Sequence, residues 1–197
     1  MLSKFVYPAI FSLGLLLPIT QLSAKTEQRI GEVTFEGANA FTIKDLLAIA
    51  GVKPKRDFRP ETIESIRDRI RNAYLERGFI KAEIAVSKDS PAQRASGKKA
   101  GVNLKVTIYE GPRYFLCRTE VMGNEMTNHG VVMRAAGLRM GSYNPSRINK
   151  WVEGLNRLGR FELVRREDIV IDLNESEHCA DVLFQLKEKP GLKIRRH

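Results

Sequence analysis

Residues 31–52 read GEVTFEGANAFTIKDLLAIAGV, and residues 117–138 read CRTEVMGNEMTNHGVVMRAAGL. The two stretches carry the same signals in the same order. Gly37-Ala38-Asn39 returns in shortened form as Gly123-Asn124, and Ala50-Gly51-Val52 returns as Ala136-Gly137-Leu138. The correspondence continues outward. Phe58-Arg59-Pro60 matches Tyr143-Asn144-Pro145, and Gly78-Phe79 matches Gly159-Arg160-Phe161. Glu110-Gly111-Pro112 matches Glu188-Lys189-Pro190. One such echo would mean little. A collinear set that spans most of the chain indicates an internal duplication.

Each copy reads as strand, helix, helix, strand, strand. In the first, Gly31, Val33 and Phe35 alternate with Glu32, Thr34 and Glu36, the pattern of a half-buried strand. Thr42, with Asp45 three residues later, predicts a helix start, and Gly51 its end. Pro60 suits the first position of a second helix, whose buried side is Ile63, Ile66, Ile70, Ala73 and Tyr74. Ile80, Ala82, Ile84 and Val86 alternate as a second strand. Residues 88–101 read as a polar loop, and Val102, Leu104, Val106 and Ile108 as the third strand. In the second copy Cys117, Thr119 and Val121 take the inward parity of the first strand. Ile148, Trp151, Val152, Leu155 and Leu158 line the second helix, and Ile169, Ile171 and Leu173 the second strand.

The expected fold class is therefore α+β: two tandem β-α-α-β-β domains, each a three-stranded sheet covered on one face by two helices. Each copy has about 80 residues, enough for a core without metal. The expected division is residues 1–24 as a signal segment, 25–110 and 111–190 as the two domains, and 191–197 as a basic tail. Lys4, the uncharged apolar run Phe5 to Ile19, and Ser23-Ala24 before Lys25 have the layout of a cleaved secretory signal. The run is short for a membrane span and is interrupted by Pro8, Gly14 and Pro18.

The ordered set resembles the polypeptide-transport-associated (POTRA) domain family. Its marks are the Gly-Asn turn after the first strand, the Gly-terminated first helix, and the Pro-led second helix. Tyr74 to Phe79, with Tyr-x-x-x-Gly-Phe spacing, and the closing Glu-Gly-Pro complete it. The resemblance covers residues 29–110 and 111–190. It implies a periplasmic location associated with the outer membrane. It also implies a non-enzymatic scaffold that binds polypeptides in outer-membrane protein assembly or secretion. The expected partners are an outer-membrane β-barrel protein or its unfolded precursors. Only seven residues follow Pro190, too few for a barrel of about eight strands, so the expectation is a module acting beside a separate barrel. The alternative within the same fold is a structural subunit of another envelope complex, such as one serving cell division.

A small sheet covered on one side leaves an exposed edge, to which an extended partner can add by backbone pairing. The resemblance points to the second strand of each copy. The candidate edge residues are Lys81, Ala82, Glu83, Ile84, Ala85, Val86 and Ser87 in the first copy, and Ile169, Val170, Ile171, Asp172 and Leu173 in the second.

The net charge of +10 favours acidic partners or an anionic lipid surface. Nucleic acid is set aside, because export opposes it and neither copy has the Gly-x-x-Gly loop of a KH module. No catalytic motif is present, so no enzyme and no cofactor are expected. His129, His178 and His197 are scattered and lack metal-ligand spacing. Cys117 and Cys179 have opposite strand parity. The default expectation is a free, buried Cys117, with a disulfide to Cys179 as the alternative that export permits.

Overall fold

The computed structural model describes residues 28–53, 55–89 and 101–191. The expected signal segment, most of the expected polar loop and all but the first residue of the expected basic tail lie outside the described residues. The first unit comprises β1 (Ile30–Glu36), α1 (Ile43–Ala50), α2 (Glu61–Glu76), β2 (Glu83–Asp89) and β3 (Val102–Tyr109). The second comprises β4 (Phe115–Met122), α3 (His129–Ala136), β5 (Gly141–Ser142), α4 (Ile148–Leu158), β6 (Ile169–Asn174) and β7 (Cys179–Gln185). A 3-10 turn, Pro145–Arg147, leads into α4.

Local chemistry sets the helix ends. The Thr42 hydroxyl accepts from the Asp45 N–H (3.2 Å), and the Asp45 carboxylate accepts from the Thr42 N–H (3.3 Å), a closed capping box. Gly51 ends α1 in the left-handed region, at φ 64°, and Gly137 ends α3 in the same way at 67°. Asn128 caps α3 by accepting from the Gly130 N–H. Pro60 precedes α2 rather than opening it.

The first sheet has the order β1-β3-β2. β3 runs parallel to β1 (Val33 opposite Leu104, Phe35 opposite Val106) and antiparallel to β2 (Val86 opposite Val106, Ile84 opposite Ile108). The second sheet repeats this plan as β5-β4-β7-β6. The added strand corrects the expectation of three. Gly141 and Ser142 of the α3–α4 connection pair with Leu116 and Phe115 of β4. The first unit does the same with less chain. Residues 55–58 lie along the start of β1, the Ile30 N–H donating to the Arg56 carbonyl and the Phe58 N–H to the Gln28 carbonyl, both at 2.7 Å. A two-residue strand carries no periodicity and leaves no mark in the sequence pattern.

Two separate cores result. Leu46, Ile66, Ile70, Tyr74, Leu104 and Val106 are fully buried in the first; Tyr114, Val132, Leu155, Ile169, Val182 and Phe184 fill the second. Each buried face of a sheet meets the two helices of its own unit, as two-layer packing requires.

The second strand of the first unit starts later than its alternation suggested. Ile80 and Lys81 lie in a turn, closed by the Ala82 N–H donating to the Phe79 carbonyl (3.1 Å), and the strand runs from Glu83 to Asp89. Ile80 packs on the core of the second unit, and Phe79 on that of the first. Its apolar parity therefore reflects contact with the neighbouring unit.

The cysteines overturn the default expectation. Cys117 and Cys179 form a disulfide, with Cα atoms 5.6 Å apart. The reason is a β-bulge. Leu116 sits opposite Ala180 and Arg118 opposite Asp181, so Cys117 is an extra residue in β4. Parity counted back from Thr119 and Val121 fails at that step. Leu116 faces the core, and Cys117 is exposed on the outer face of the sheet, where Cys179 also points. The first unit has an irregularity at the matching place, between Ile30 and Val33 of β1.

Candidate polypeptide-binding edges

The residues that make the repeat recognisable hold the fold together. Gly37 follows β1 at φ 80° and lies against the Ile108 backbone; Gly123 follows β4 at φ 77° and lies against the Leu186 backbone. Any side chain at either place would collide with a carbonyl as well as strain the backbone. The turn that each glycine opens is clamped by the glutamate at the end of the copy. Glu110 accepts from the Asn39 and Ala40 N–H groups, both 2.7 Å away, and from the Tyr74 hydroxyl at 2.8 Å. Glu188 accepts from the Met126 N–H (2.9 Å) and the Thr127 N–H (2.7 Å). Partial burial raises the Glu110 pKa, but the N–H groups of Ala40 and Asn39 and the Tyr74 hydroxyl outweigh it. The carboxyl stays below the usual carboxylate range. Burial, followed by the bond to Glu110, pushes the Tyr74 hydroxyl up.

These motifs are thus spent on architecture, and what remains open to a partner is backbone. β2 and β6 are the terminal strands of their sheets, each paired on one side only among the described residues. Glu83, Ile84, Ala85, Val86 and Ser87 of the predicted set lie in β2. Ile84 and Val86 point into the core, and the other three are exposed. Lys81 and Ala82 do not belong to this edge. Lys81 turns toward the second unit and pairs with Glu175, and Ala82 is buried in the turn. Ile169, Val170, Ile171, Asp172 and Leu173 all lie in β6. Ile169 is buried, Ile171 and Leu173 are half-buried on the core side, and Val170 and Asp172 are exposed. The opposite edges are partly closed, by residues 55–58 along β1 and by β5 along β4.

The outer faces beside the two edges differ. Next to β2 the rows run Glu36, Thr107, Ala85 and Thr34, Lys105, Ser87, and Lys105 is paired to Glu36 at 2.9 Å. Next to β6 there is a groove of about 210 Å³ lined by Arg118, Glu120, Val170, Asp172, Asp181, Val182 and Leu183. Of these, sequence reasoning had found only Val170 and Asp172. The alternation of Asp181 and Leu183 was legible, but the register that sets them beside β6 was not.

The turn before β2 and the turn after β6 meet at the joint between the units. The Tyr114 N–H donates to the Gly78 carbonyl (2.8 Å), and Arg113 Nε donates to the Arg77 carbonyl (2.8 Å). Arg147 pairs with Glu76, and Glu175 accepts from both Lys81 and the Tyr114 hydroxyl. The bond from Lys81, then that from Tyr114, holds the Glu175 carboxyl below its ordinary range. The ion pair places the start of β2 beside the end of the hairpin that follows β6.

Among the described residues no group of three or more His, Cys, Asp or Glu side chains is set to hold a metal ion. Among the same residues no helix is long and apolar enough to cross a membrane.

Residues 28–111 match the POTRA family model, described as surface antigen variable number repeat. That match covers the whole of the first unit. The second unit repeats the POTRA plan strand for strand, apart from the short β5. A crystal structure of BamA from Haemophilus ducreyi lacking POTRA domains 1-3 superposes with a TM-score of 0.59 at 17% identity, covering 82% of this chain and 29% of that one. Haemophilus influenzae BamA POTRA3-5 gives a TM-score of 0.49 at 21% identity, covering 82% of this chain and 61% of that one. The chain thus spans less than two thirds of either structure. At these identities the first likeness is one of fold.

Proposed function

We propose that this chain is a non-enzymatic periplasmic scaffold that holds extended polypeptide segments during outer-membrane protein assembly or secretion. The reading rests on one observation above all: each unit ends its sheet in a strand, β2 or β6, that pairs with another strand on one side only among the described residues, Arg166 covering the Ile169 carbonyl at the start of β6. Unpaired N–H and C=O groups are a template for one more strand. Pairing through the backbone is nearly indifferent to sequence, which suits a scaffold with many clients. The POTRA match supports the reading, and the partners we propose are an outer-membrane β-barrel protein or its unfolded precursors.

The test is in-cell crosslinking from photoreactive residues at Ala85 and Val170, followed by recovery from the envelope fraction. Adducts to barrel precursors or to an outer-membrane barrel protein are expected. Adducts solely to inner-membrane division proteins would overturn the proposal in favour of a structural subunit of another envelope complex.

A further inference from the structure

The two edges are not equivalent. We propose that β6 is a selective edge, admitting strands that carry an apolar side chain and, two residues away on the same face, a lysine or arginine. β2 lacks this selectivity. The inference rests on the edge-pairing reading above and adds the class of segment that the second edge takes.

The register supplies the argument. On the outer face of the second sheet one row runs Glu120, Leu183, Val170, and the next runs Arg118, Asp181, Asp172. A strand added to β6 would extend both rows, because neighbouring strands lie about 4.8 Å apart and side chains two residues apart share a face. Its residue beside Val170 would meet the apolar part of the groove, formed by Val170 and Leu183. Its residue beside Asp172 would meet two carboxylates that face each other directly across β6 and β7. Like charges in that position repel. Among the described residues no cation lies within ion-pair distance of either one; Arg118, the only basic side chain lining the groove, leans toward Glu120 at 3.9 Å. Between those two positions the added strand turns one residue inward beside the half-buried Ile171. The preferred core of a client is therefore an apolar-apolar-basic triplet, read in either chain direction.

Edge strands commonly carry a lysine that discourages pairing. β6 instead shows Val170, Asp172 and Asn174 outward. β2 has no such pair of facing carboxylates: Glu83 stands opposite Tyr109 and Asp89 opposite Asn103, Lys105 pairs with Glu36, and Ala85 and Ser87 offer little to read.

The experiment is fluorescence anisotropy of labelled nonapeptides against the full chain. Val-Ile-Lys and Lys-Ile-Val cores are compared with Val-Ile-Glu and Glu-Ile-Val cores in one Thr/Ser background. In about 50 mM salt the better lysine peptide should bind about tenfold tighter or more than its glutamate counterpart, and the ratio should fall toward one in about 0.5 M salt. Asp172→Asn with Asp181→Asn should remove the preference while leaving binding. Ile171→Pro, which removes an outward N–H of β6, or N-methylation of alternate peptide amides, should abolish binding of both kinds. Equal affinities in the wild type, with binding still lost on Ile171→Pro and on N-methylation, would overturn the selectivity and leave the edge reading standing. Binding untouched by both Ile171→Pro and N-methylation would remove the edge reading and the selectivity together.

Discussion

Glu110 shows how one side chain does work that its neighbours in sequence cannot announce. It stands at the end of β3, yet three of its hydrogen bonds reach back to the turn after β1 and to α2. Bonds to a charged acceptor are worth about 1.5–3 kcal/mol each in favourable cases. Glu110→Ala, which strands two N–H groups and a buried hydroxyl, should cost about 2–4 kcal/mol. Urea unfolding of the variant would measure it. The linkage to pH follows from the depressed carboxyl. Its contribution is fully present above the unfolded pKa of about 4.3 and is lost as pH falls through the lower folded value. Wild-type stability should therefore fall below about pH 4 more steeply than that of Glu110→Ala.

Among elements, the first strand of each copy is the one that departs from regularity. The bulge at Cys117 has its counterpart between Ile30 and Val33, where the sequence has Gly31. A glycine inside a strand often marks a bulge. Its alignment with Cys117 was therefore the available signal that parity would break there. The resulting disulfide fastens β4 to β7 across 62 residues of chain. Constraining a loop of that length is worth about 4 kcal/mol in the chain-entropy model. Cys117→Ser with Cys179→Ser should lower stability by about that amount. A first-unit fragment, having no cysteine, should be indifferent to reductant. Denaturant curves with and without reductant would separate the two.

For the whole molecule, the joint decides how the two edges are presented. Its ion pairs are about half exposed, so each adds little to stability. Their role is orientation, together with the backbone bonds from Tyr114 to Gly78 and from Arg113 to Arg77. Glu175→Gln with Arg147→Gln should leave the melting temperature nearly unchanged and loosen the joint. The measurement is backbone 15N relaxation, in which the correlation times of the two units should draw apart. Because Glu175 titrates below its ordinary range, the wild-type ties persist above the unfolded carboxylate pKa. Those that Glu175 makes are lost as pH falls through its depressed value, so acidification below about pH 4 should mimic Glu175→Gln alone.

The sequence by itself determined the duplication, the order of strands and helices, the capping residues and most of the two cores. All of these follow from periodicity or from backbone chemistry within a few residues, which spacing reveals directly. It also placed β6, and most of β2, as segments of the right parity and length. Only the tertiary structure decided the rest. A single extra residue in β4 inverted the parity of Cys117 and brought two cysteines together. A two-residue strand too short for any pattern closed one edge. Ile80 looked like strand because it is apolar for the sake of the neighbouring unit. The facing carboxylates beside Val170 exist only once β4, β6 and β7 lie in register. Each of these depends on which distant backbone lies alongside, and local sequence carries no record of that.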